Sequence, residues 1–264
     1  MLLAKFTGWG LLGLIRLLTG AQARWWGCPP KAEQRIYFAN HQSHLDLVMI
    51  WAALPEELRG ITRPIAARDY WANTPFKRWI TTEVFHAIYV ERGGGAPVVP
   101  PAPPEPPPAM RIEPSLDEAP AAPAAAEPAG AQFEIPLSPP APEPAPSPLA
   151  PPGSAEALAP LQPLIEALQS GYSIIIFPEG TRGHTGEPQK FKSGLYTLAQ
   201  MFPEVVLVPA WIDNVQRVMP KGEVVPVPIL CSVTFGTPVR LEDGEERRPF
   251  LDRAREAVVA LLNV

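Results

Sequence analysis

The sequence predicts an α/β domain in which helices are layered on a central, mostly parallel or mixed sheet. Apolar segments of strand length alternate with helical segments from residue 35 to residue 262, and this alternation is typical of layered α/β folds. Outside a proline-rich stretch, 196 of the 264 residues remain for folding, which is enough for one domain with a full core. We therefore predict that residues 1–264 form a single domain.

Six short apolar segments are predicted to be strands. Residues 173–177, SIIIF, are strongly apolar and rich in isoleucine, which is typical of a buried strand. Residues 35–39, RIYFA, have a similar character. The predicted strands are residues 35–39, 63–67, 87–91, 173–177, 205–211 and 229–235.

The segments between these strands are predicted helices, and several carry boundary signals. Thr74 followed by Pro75 is an N-cap residue before a proline at the first helical position. Gly171 is a stop signal, and Pro55 and Pro203 follow two further helices. The predicted helices are residues 43–54, 74–85, 161–170, 193–202 and 247–262.

Residues 1–26 are predicted to form an amphipathic helix at a membrane interface. Lys5 and Arg16 interrupt the run of about 20 apolar residues that a simple span requires. Trp25 and Trp26 follow, as is common at a headgroup boundary. Residues 1–40 carry a net charge of +4, which suits an anionic lipid surface. The alternative is an apolar helix packed on the domain.

Residues 93–157 are predicted to be a disordered Pro/Ala-rich linker inserted in a surface loop. Residues 93–160 hold 22 of the 37 prolines, one aromatic residue, and eight acids against one base. Such a composition cannot bury enough apolar surface to offset its ordering entropy, whereas a surface loop tolerates a long insertion. The segment is either a solvated spacer or, through polyproline II runs, a docking site for a partner.

The net charge and the two cysteines indicate which kinds of binding site the chain can contain. The proline-rich stretch contributes −7 to the net charge of −5, so the rest of the chain carries +2. Cys28 and Cys231 form neither a CxxC pair nor a metal-ligand spacing. We expect two reduced cysteines of a cytosolic protein and no metal site.

The first candidate site is the segment 40–46, NHQSHLD, where a predicted strand ends and a helix begins. His41 and Asp46 are five residues apart, and a carboxylate beside a histidine fixes its tautomer and stabilises the imidazolium. The pair is therefore equipped to act as a general base on an alcohol. The alternative is structural, because Ser43 and Asp46 also form a helix-start signature.

The second candidate site is the hexapeptide FPEGTR, residues 177–182, directly after the strand SIIIF. Gly180 allows a sharp turn, so that Glu179, Thr181 and Arg182 are expected at the carboxyl edge of the sheet, where open α/β sheets bind ligands. An arginine fork suits a phosphate, and a glutamate can accept a hydrogen bond from a hydroxyl. The alternative is a polar surface turn.

More positive charge is expected near the same edge. Lys190 and Lys192 directly precede the predicted helix 193–202, whose start favours anions. The strand 87–91 is followed by Arg92, which is expected to be a second phosphate contact.

In this order the segments resemble the lysophospholipid acyltransferase family, and in particular its bacterial 1-acyl-sn-glycerol-3-phosphate acyltransferases. The family pattern NHxSxxD is matched by residues 40–46, and FPEGTR is matched in full by residues 177–182. Two less specific motifs are matched by residues 91–92 and 207–210. The sequence departs from the family pattern at Ala67, Arg68, His86, Glu91 and Gly183.

The resemblance implies an O-acyltransferase of phospholipid synthesis with a layered glycerol-phosphate-acyltransferase-like fold. His41, oriented by Asp46, would deprotonate the acceptor hydroxyl of lysophosphatidate, and the alkoxide would attack the thioester of acyl-CoA or acyl carrier protein. No cofactor is expected beyond this acyl donor. The substrate-binding residues that the resemblance implies are Arg92, Glu179, Gly180, Thr181, Arg182 and Lys192.

The expected partners are membrane lipids, lysophosphatidate and the acyl donor, with no nucleic acid. The expected location is the cytoplasmic face of the inner membrane. A second hypothesis keeps the chemistry but uses another lysophospholipid or a lyso-aminolipid as acceptor. A third is an inactive lipid-binding scaffold that recruits partners through the proline-rich segment, and a fourth is a hydrolase that releases fatty acid.

Overall fold

The computed structural model describes residues 2–20, 22–43, 45–91, 158–183, 187–218 and 227–264. The predicted insertion, residues 93–157, lies outside the described residues. Arg92, the predicted second phosphate contact, lies outside them as well.

Seven strands within the described ranges form one mixed sheet. They are β1 (Gln22–Trp25), β2 (Arg35–Ala39), β3 (Thr62–Ala67), β4 (Ile88–Val90), β5 (Ser173–Ile176), β6 (Val206–Asp213) and β7 (Ser232–Phe235). Their spatial order is β1-β7-β6-β2-β5-β3-β4. Of these seven, only β6 and β7 pair antiparallel. The predicted α/β fold with a mixed, mostly parallel sheet is confirmed, and all six predicted strands are present with slightly shifted ends.

The helices in the described ranges include every segment predicted to be helical. They are α1 (Leu2–Thr19), α2 (Asp46–Ala53), α3 (Glu56–Ile61), α4 (Arg68–Trp71), α5 (Pro75–Trp79), α6 (Gln162–Gln169), α7 (Gly194–Met201), α8 (Val215–Val218) and α9 (Arg247–Val259). Short 3₁₀ turns precede α6 (Ala159–Leu161) and follow α9 (Ala260–Asn263). Helices α3, α4 and α8 were not predicted, because four to six residues are too short to show a helical period.

The predicted helix 74–85 changes its hydrogen-bonding pattern part-way along. Its start is as predicted, since the Thr74 side chain caps α5 by accepting a hydrogen bond from the Lys77 amide. From Ile80 to Val84 the chain continues as a π-helix. The periodicity of the sequence does not reveal this change.

Helices cover both faces of the sheet. Strand β2 is buried at all five positions. Tyr37 and Ala39 pack in an apolar cluster with residues of α1, α2 and α3, whereas Ile36 and Phe38 pack in a second cluster with residues of α6, α7 and α9. Because neighbouring strand residues point to opposite faces, a strand covered on both sides is an uninterrupted apolar run.

The N-terminal helix is shorter than predicted. It ends at Thr19 rather than at residue 26, because Gly20 adopts a φ of 67°, a left-handed conformation that ends helices. Residues Gln22–Trp25 then pair with β7 as an edge strand, which satisfies their backbone polar groups in the sheet. Among the described residues, none of the helices combines the length and apolar character that a transmembrane helix requires.

The register of β2 against β5 brings the two candidate sites together. Phe38 is paired with Ile176, so His41 and Glu179 lie at equal distances along the chain beyond that pair. Because the strands are parallel, both segments leave the sheet at the same carboxyl edge, where α/β sheets bind ligands. Strands β3 and β4 are parallel to them and end at this edge too.

Candidate active site

His41 and Asp46 form a hydrogen-bonded pair at this edge of the sheet. The Nδ1 atom of His41 lies 2.8 Å from Oδ2 of Asp46. Since a carboxylate only accepts, Nδ1 carries the proton and Nε2 is the basic nitrogen. The His41 side chain is 19 % exposed and that of Asp46 is 1 % exposed. The ring therefore reaches open space while the carboxylate is buried behind it.

The Asp46 carboxylate is also held by the loop that precedes its own helix. Its Oδ2 atom accepts hydrogen bonds from the amides of Gln42, at 2.6 Å, and Ser43, at 2.8 Å. Asp46 is the first residue of α2, a place where negative charge is favourable. The catalytic and the helix-start interpretations of this residue are therefore compatible, because one carboxylate satisfies both.

Glu179 connects the two candidate segments through its carboxylate. Oε1 accepts from the His41 amide at 2.7 Å, and Oε2 accepts from the Gln189 amide at 2.8 Å. The residue is 2 % exposed, and this burial raises the pKa of its carboxyl despite the two amide donors. Both oxygens accept from backbone amides, so Glu179 joins the two segments, and its predicted hydrogen bond with a substrate hydroxyl stays a prediction.

The segment 177–183 holds His41 from three directions. The His41 ring stacks on Phe177, with the ring centroids 4.5 Å apart and the planes at 19°. The His41 carbonyl accepts a hydrogen bond from the Gly183 amide at 2.8 Å. Together with the Glu179 contact, these interactions fix the ring, the N–H and the C=O of one residue.

A cavity of about 280 Å³ lies beside His41. Its polar lining residues are His41, Ser43, Glu91 and Lys192. The rest of the wall is apolar, which suits a hydrocarbon chain. The apolar lining residues include Leu47, Ile65, Ala67, Trp71, Val90, Pro160, Leu161, Leu164, Ile176, Phe177, Pro178, Leu195 and Leu198.

Lys192 carries the positive charge among the described residues that line the cavity. Its backbone amide donates to the Pro178 carbonyl at 2.8 Å. Its side chain lies over Gly180, which has a φ of 70°, and a Cβ placed on Gly180 would be 2.6 Å from Lys192 Nζ. The glycine therefore provides both the turn and the space for the lysine.

Of the other predicted substrate-binding residues that the structure describes, Gly180 lines the cavity, whereas Glu179, Thr181 and Arg182 do not. Thr181 and Arg182 are exposed on the loop after Gly180, and the Thr181 hydroxyl lies 3.4 Å from Gln189 Oε1. Glu91, which directly precedes Arg92 in sequence, lines the cavity and is 3.9 Å from Arg68 Nε.

Two residues contribute contacts that the sequence did not predict. The Asn40 side chain forms two hydrogen bonds with the main chain of Ile212, at 3.1 and 2.8 Å, and so fixes the residue before His41 to β6. Gln189 holds Glu179 through its backbone amide. The position of Asn40 in the NHxSxxD segment could have indicated the first contact. The second contact uses a backbone amide, which does not depend on the identity of the side chain.

The described side chains offer general-base chemistry. No group of three or more His, Cys, Asp or Glu among the described residues could hold a metal ion. A buried carboxylate orients a histidine whose basic nitrogen is free of Asp46, beside an apolar cavity with a cation in its wall. Such an arrangement can deprotonate the hydroxyl group of an amphipathic molecule.

Comparison with known proteins identifies the family of this chain. A family model described as Acyltransferase matches residues 29–213. This range includes His41, Asp46, Glu179 and Lys192. The chain belongs to the Acyltransferase family. This membership confirms the resemblance inferred from the order of the sequence motifs.

Among solved structures, the acyltransferase resembles the 1-acyl-sn-glycerophosphate (LPA) acyltransferase PlsC from Thermotoga maritima. The TM-score is 0.55 at 17 % identity, and the match covers 99 % of this chain and 82 % of that chain. At this identity the likeness shows a shared fold. No curated protein matches the sequence.

Proposed function

We propose that this acyltransferase transfers a fatty acyl group from acyl-CoA or acyl carrier protein to the free hydroxyl of 1-acyl-sn-glycerol-3-phosphate and so forms phosphatidic acid. The observation that carries the proposal is the position of the His41–Asp46 pair in the wall of an apolar cavity, with Lys192 in the same wall. The pair supplies a base, the apolar wall suits an acyl chain, and the lysine suits a phosphate.

The proposed reaction is a direct transfer. His41 Nε2 takes the proton of the acceptor hydroxyl as the oxygen attacks the thioester carbonyl. The resulting tetrahedral intermediate collapses, the C–S bond breaks, and the thiolate takes the proton from the imidazolium. The negative charge of Asp46, 2.8 Å from Nδ1, stabilises the imidazolium between these two steps.

The acceptor phosphate is proposed to bind at the cationic side of the cavity. Lys192 lines the cavity, and Arg182 is exposed two residues after Gly180, over which the lysine lies. Arg92 completes this proposed set by its place in the sequence after Glu91. Gly180 and Thr181 belong to the turn that carries Arg182, and Glu179 supports this turn through its bonds to the His41 and Gln189 amides.

The proposal is tested by lipid mass spectrometry on the full-length chain. Purified protein would be incubated with mixed acyl-CoA species or acyl carrier protein thioesters and with lysophosphatidate. We expect phosphatidate from the wild type and a loss of roughly 10²–10⁴-fold in rate for His41→Ala, the usual contribution of a general base. A folded His41→Ala protein with unchanged turnover would overturn the proposed role of the histidine.

An acceptor panel separates the proposal from competing functions. Lysophosphatidate, a zwitterionic lysophospholipid, a lyso-aminolipid and glycerol 3-phosphate would be compared with one labelled acyl-CoA. Preference for the lyso-aminolipid would contradict the phosphate assignment, and preference for the zwitterionic lysophospholipid or glycerol 3-phosphate would contradict lysophosphatidate as the acceptor. Free fatty acid would indicate a hydrolase, and binding without turnover would indicate a scaffold.

We further propose that the acyltransferase works at the cytoplasmic face of the inner membrane through the outer face of α1. Phe6, Trp9 and Leu17 are 73 %, 81 % and 81 % exposed, and Lys5 and Arg16 are exposed on the same helix. An apolar face with flanking cations is typical of a helix that lies in the headgroup region of an anionic membrane.

A further inference from the structure

One peptide unit near the site is held at both of its polar ends. The carbonyl of Pro188 accepts a hydrogen bond from Arg255 Nε on α9 at 2.8 Å. The amide of Gln189, which belongs to the same peptide unit, donates to Glu179 Oε2 at 2.8 Å. Because a peptide unit is planar and rigid, fixing its carbonyl also fixes the direction of its N–H.

Glu179 connects this peptide unit to His41, the proposed base. The second oxygen of Glu179 accepts from the His41 amide at 2.7 Å. The carboxylate is buried and both of its oxygens are engaged, so a shift of one partner moves the other. Arg255 is therefore connected to His41 through one peptide unit and one carboxylate.

We propose that Arg255 is a positioning residue for His41, which it places through the 188–189 peptide and Glu179. The proposal rests on the proposed function, since it assumes that His41 is the base. Arg255 touches neither the cavity nor the base directly. It also lies beyond residue 213, where the family match ends, so this support is supplied from outside the matched range.

The neighbouring Arg253 shows what a purely structural arginine on α9 looks like. Its guanidinium donates to both oxygens of Glu245, at 3.0 and 2.6 Å, and to the Arg240 carbonyl at 2.7 Å. It thus makes three hydrogen bonds where Arg255 makes two, yet these fasten α9 to the loop before it and do not lead to His41. Helix stability and placement of the base are therefore separable by substitution.

Loss of Arg255 is expected to act on turnover more than on substrate binding. The freed peptide unit can rotate, the Glu179 carboxylate follows, and the His41 backbone loses its fixed partner. Arg255 does not line the cavity, so we expect the substrate pocket to be retained. A misplacement of about 1 Å at a catalytic group can cost up to about 100-fold in rate.

The test compares four full-length variants in the acyl-transfer assay. Arg255→Ala should lower kcat by roughly 10- to 100-fold with KM for both substrates within about twofold, and Arg255→Lys should recover part of kcat because its ammonium can donate to the same carbonyl. Arg253→Ala should lower the unfolding temperature but leave kcat near the wild-type value. Glu187→Gln weakens the 3.5 Å contact to Arg255 Nη2 while sparing the Pro188 contact, and should leave kcat unchanged.

A second readout does not depend on activity. Hydrogen exchange at the amides of Gln189 and His41, which donate to Glu179, should quicken in Arg255→Ala and remain slow in Arg253→Ala, as these amides lose or keep their fixed acceptor. Equal losses of kcat in the two alanine variants, or an Arg255→Ala protein with unchanged kcat and exchange, would overturn the proposal. Absence of acyl transfer in the wild type would instead contradict the proposed function, and the exchange result would still decide whether Arg255 holds the His41 backbone.

Discussion

The Oε1 atom of Glu179 accepts a hydrogen bond of 2.7 Å from the backbone amide of His41. The contact follows from the pairing of Phe38 with Ile176, which places the two residues side by side beyond their strands. A residue from the second motif thereby holds the main chain of the first. The two motifs form one unit although the insertion separates them in the sequence.

Replacing Glu179 by glutamine tests this unit. The side-chain amide has one oxygen, so it can accept from His41 or from Gln189 but leaves the other buried N–H facing an NH₂ group. An unsatisfied buried donor costs about 1–3 kcal/mol, and we expect the free energy of unfolding to fall by about that amount. We also expect kcat to fall while KM for the acceptor changes little.

The measurements are urea unfolding and steady-state kinetics on the same preparations. Glu166→Gln is the matched control, since Glu166 is an exposed carboxylate on α6. A rise in the acceptor KM without a fall in kcat would show that Glu179 binds substrate after all.

The buried carboxyl of Glu179 also predicts a pH dependence of stability. Burial raises its pKa above the ordinary value of 4.5, so the folded protein binds this proton more tightly than the unfolded chain does. The part of the stability that comes from this tighter proton binding is therefore fully present below the unfolded pKa and is lost as pH rises through the raised folded pKa. Above that window the contribution is constant.

This dependence is read from the difference between wild type and Glu179→Gln. We expect the difference in unfolding free energy to shrink as pH rises from about 4 through the window just above the ordinary glutamate range, and then to stay level to about pH 8. A difference that grows with pH over the same window would mean that the carboxyl has a lowered pKa.

The sequence predicted the sheet well because its strands are buried on both faces. An uninterrupted apolar run such as residues 173–177 has few other interpretations, and β5 occupies nearly the same residues. The sequence did not predict β1, because the segment QARW has little strand character and its pairing with β7 depends on a partner some 200 residues away.

The site was predicted as a set of residue types but not as a set of roles. His41 and Asp46 form the expected pair, because their spacing across a helix start limits where the side chains can point. Glu179 was expected to face the substrate. In the structure its carboxylate accepts from two backbone amides, and side-chain identity at positions 41 and 189 does not encode these contacts.

Asp46→Asn separates the charge of the carboxylate from its geometry. An amide oxygen can still accept from the Gln42 and Ser43 amides and from His41 Nδ1, so the loop and the tautomer are expected to remain. The negative charge that stabilises the imidazolium is lost, and we expect kcat to fall by roughly 10²–10⁴-fold.

The kinetics should be accompanied by circular dichroism and thermal unfolding, which we expect to be close to wild type. If Asp46→Asn is folded and as active as wild type, the carboxylate serves only the helix start and the catalytic interpretation of the pair is wrong.

Gly180→Ala tests the placement of Lys192. The added Cβ would lie 2.6 Å from Lys192 Nζ, so the lysine must move out of the cavity wall. We expect KM for lysophosphatidate to rise, as it should in Lys192→Ala, and we expect the double variant to be no worse than the worse single variant because both act on one group.

Gly171→Ala is the matched control for backbone strain. Gly171 has a φ of 81° but no atom within 4 Å of an added Cβ, so its substitution strains a left-handed residue without displacing a side chain. We expect Gly171→Ala to lower the free energy of unfolding as Gly180→Ala does, while the KM for the acceptor stays unchanged. A matching rise in KM for Gly171→Ala would assign the effect to strain rather than to Lys192.

The outer face of α1 leads to a test of the proposed membrane binding. The helix packs inward through Leu12, which is 7 % exposed, and through Gly8, where an added Cβ would meet Val84 at 3.2 Å. Trp9 and Leu17 point away from this packing and are each 81 % exposed. We expect Trp9→Ser with Leu17→Ser to weaken flotation with vesicles that contain about 30 % anionic lipid, because the buried apolar area drives binding.

The same flotation experiment should separate the contribution of charge to membrane binding from that of apolar contact. Lys5→Gln with Arg16→Gln should reduce binding to anionic vesicles, by about 1 kcal/mol for each cation near the surface, and leave the weaker binding to zwitterionic vesicles unchanged. Met201→Ser removes an exposed apolar side chain from α7, on the other face of the sheet, and should leave flotation unchanged. If Met201→Ser weakens flotation as much as the α1 variant does, membrane contact is spread over the surface and α1 is not the docking helix.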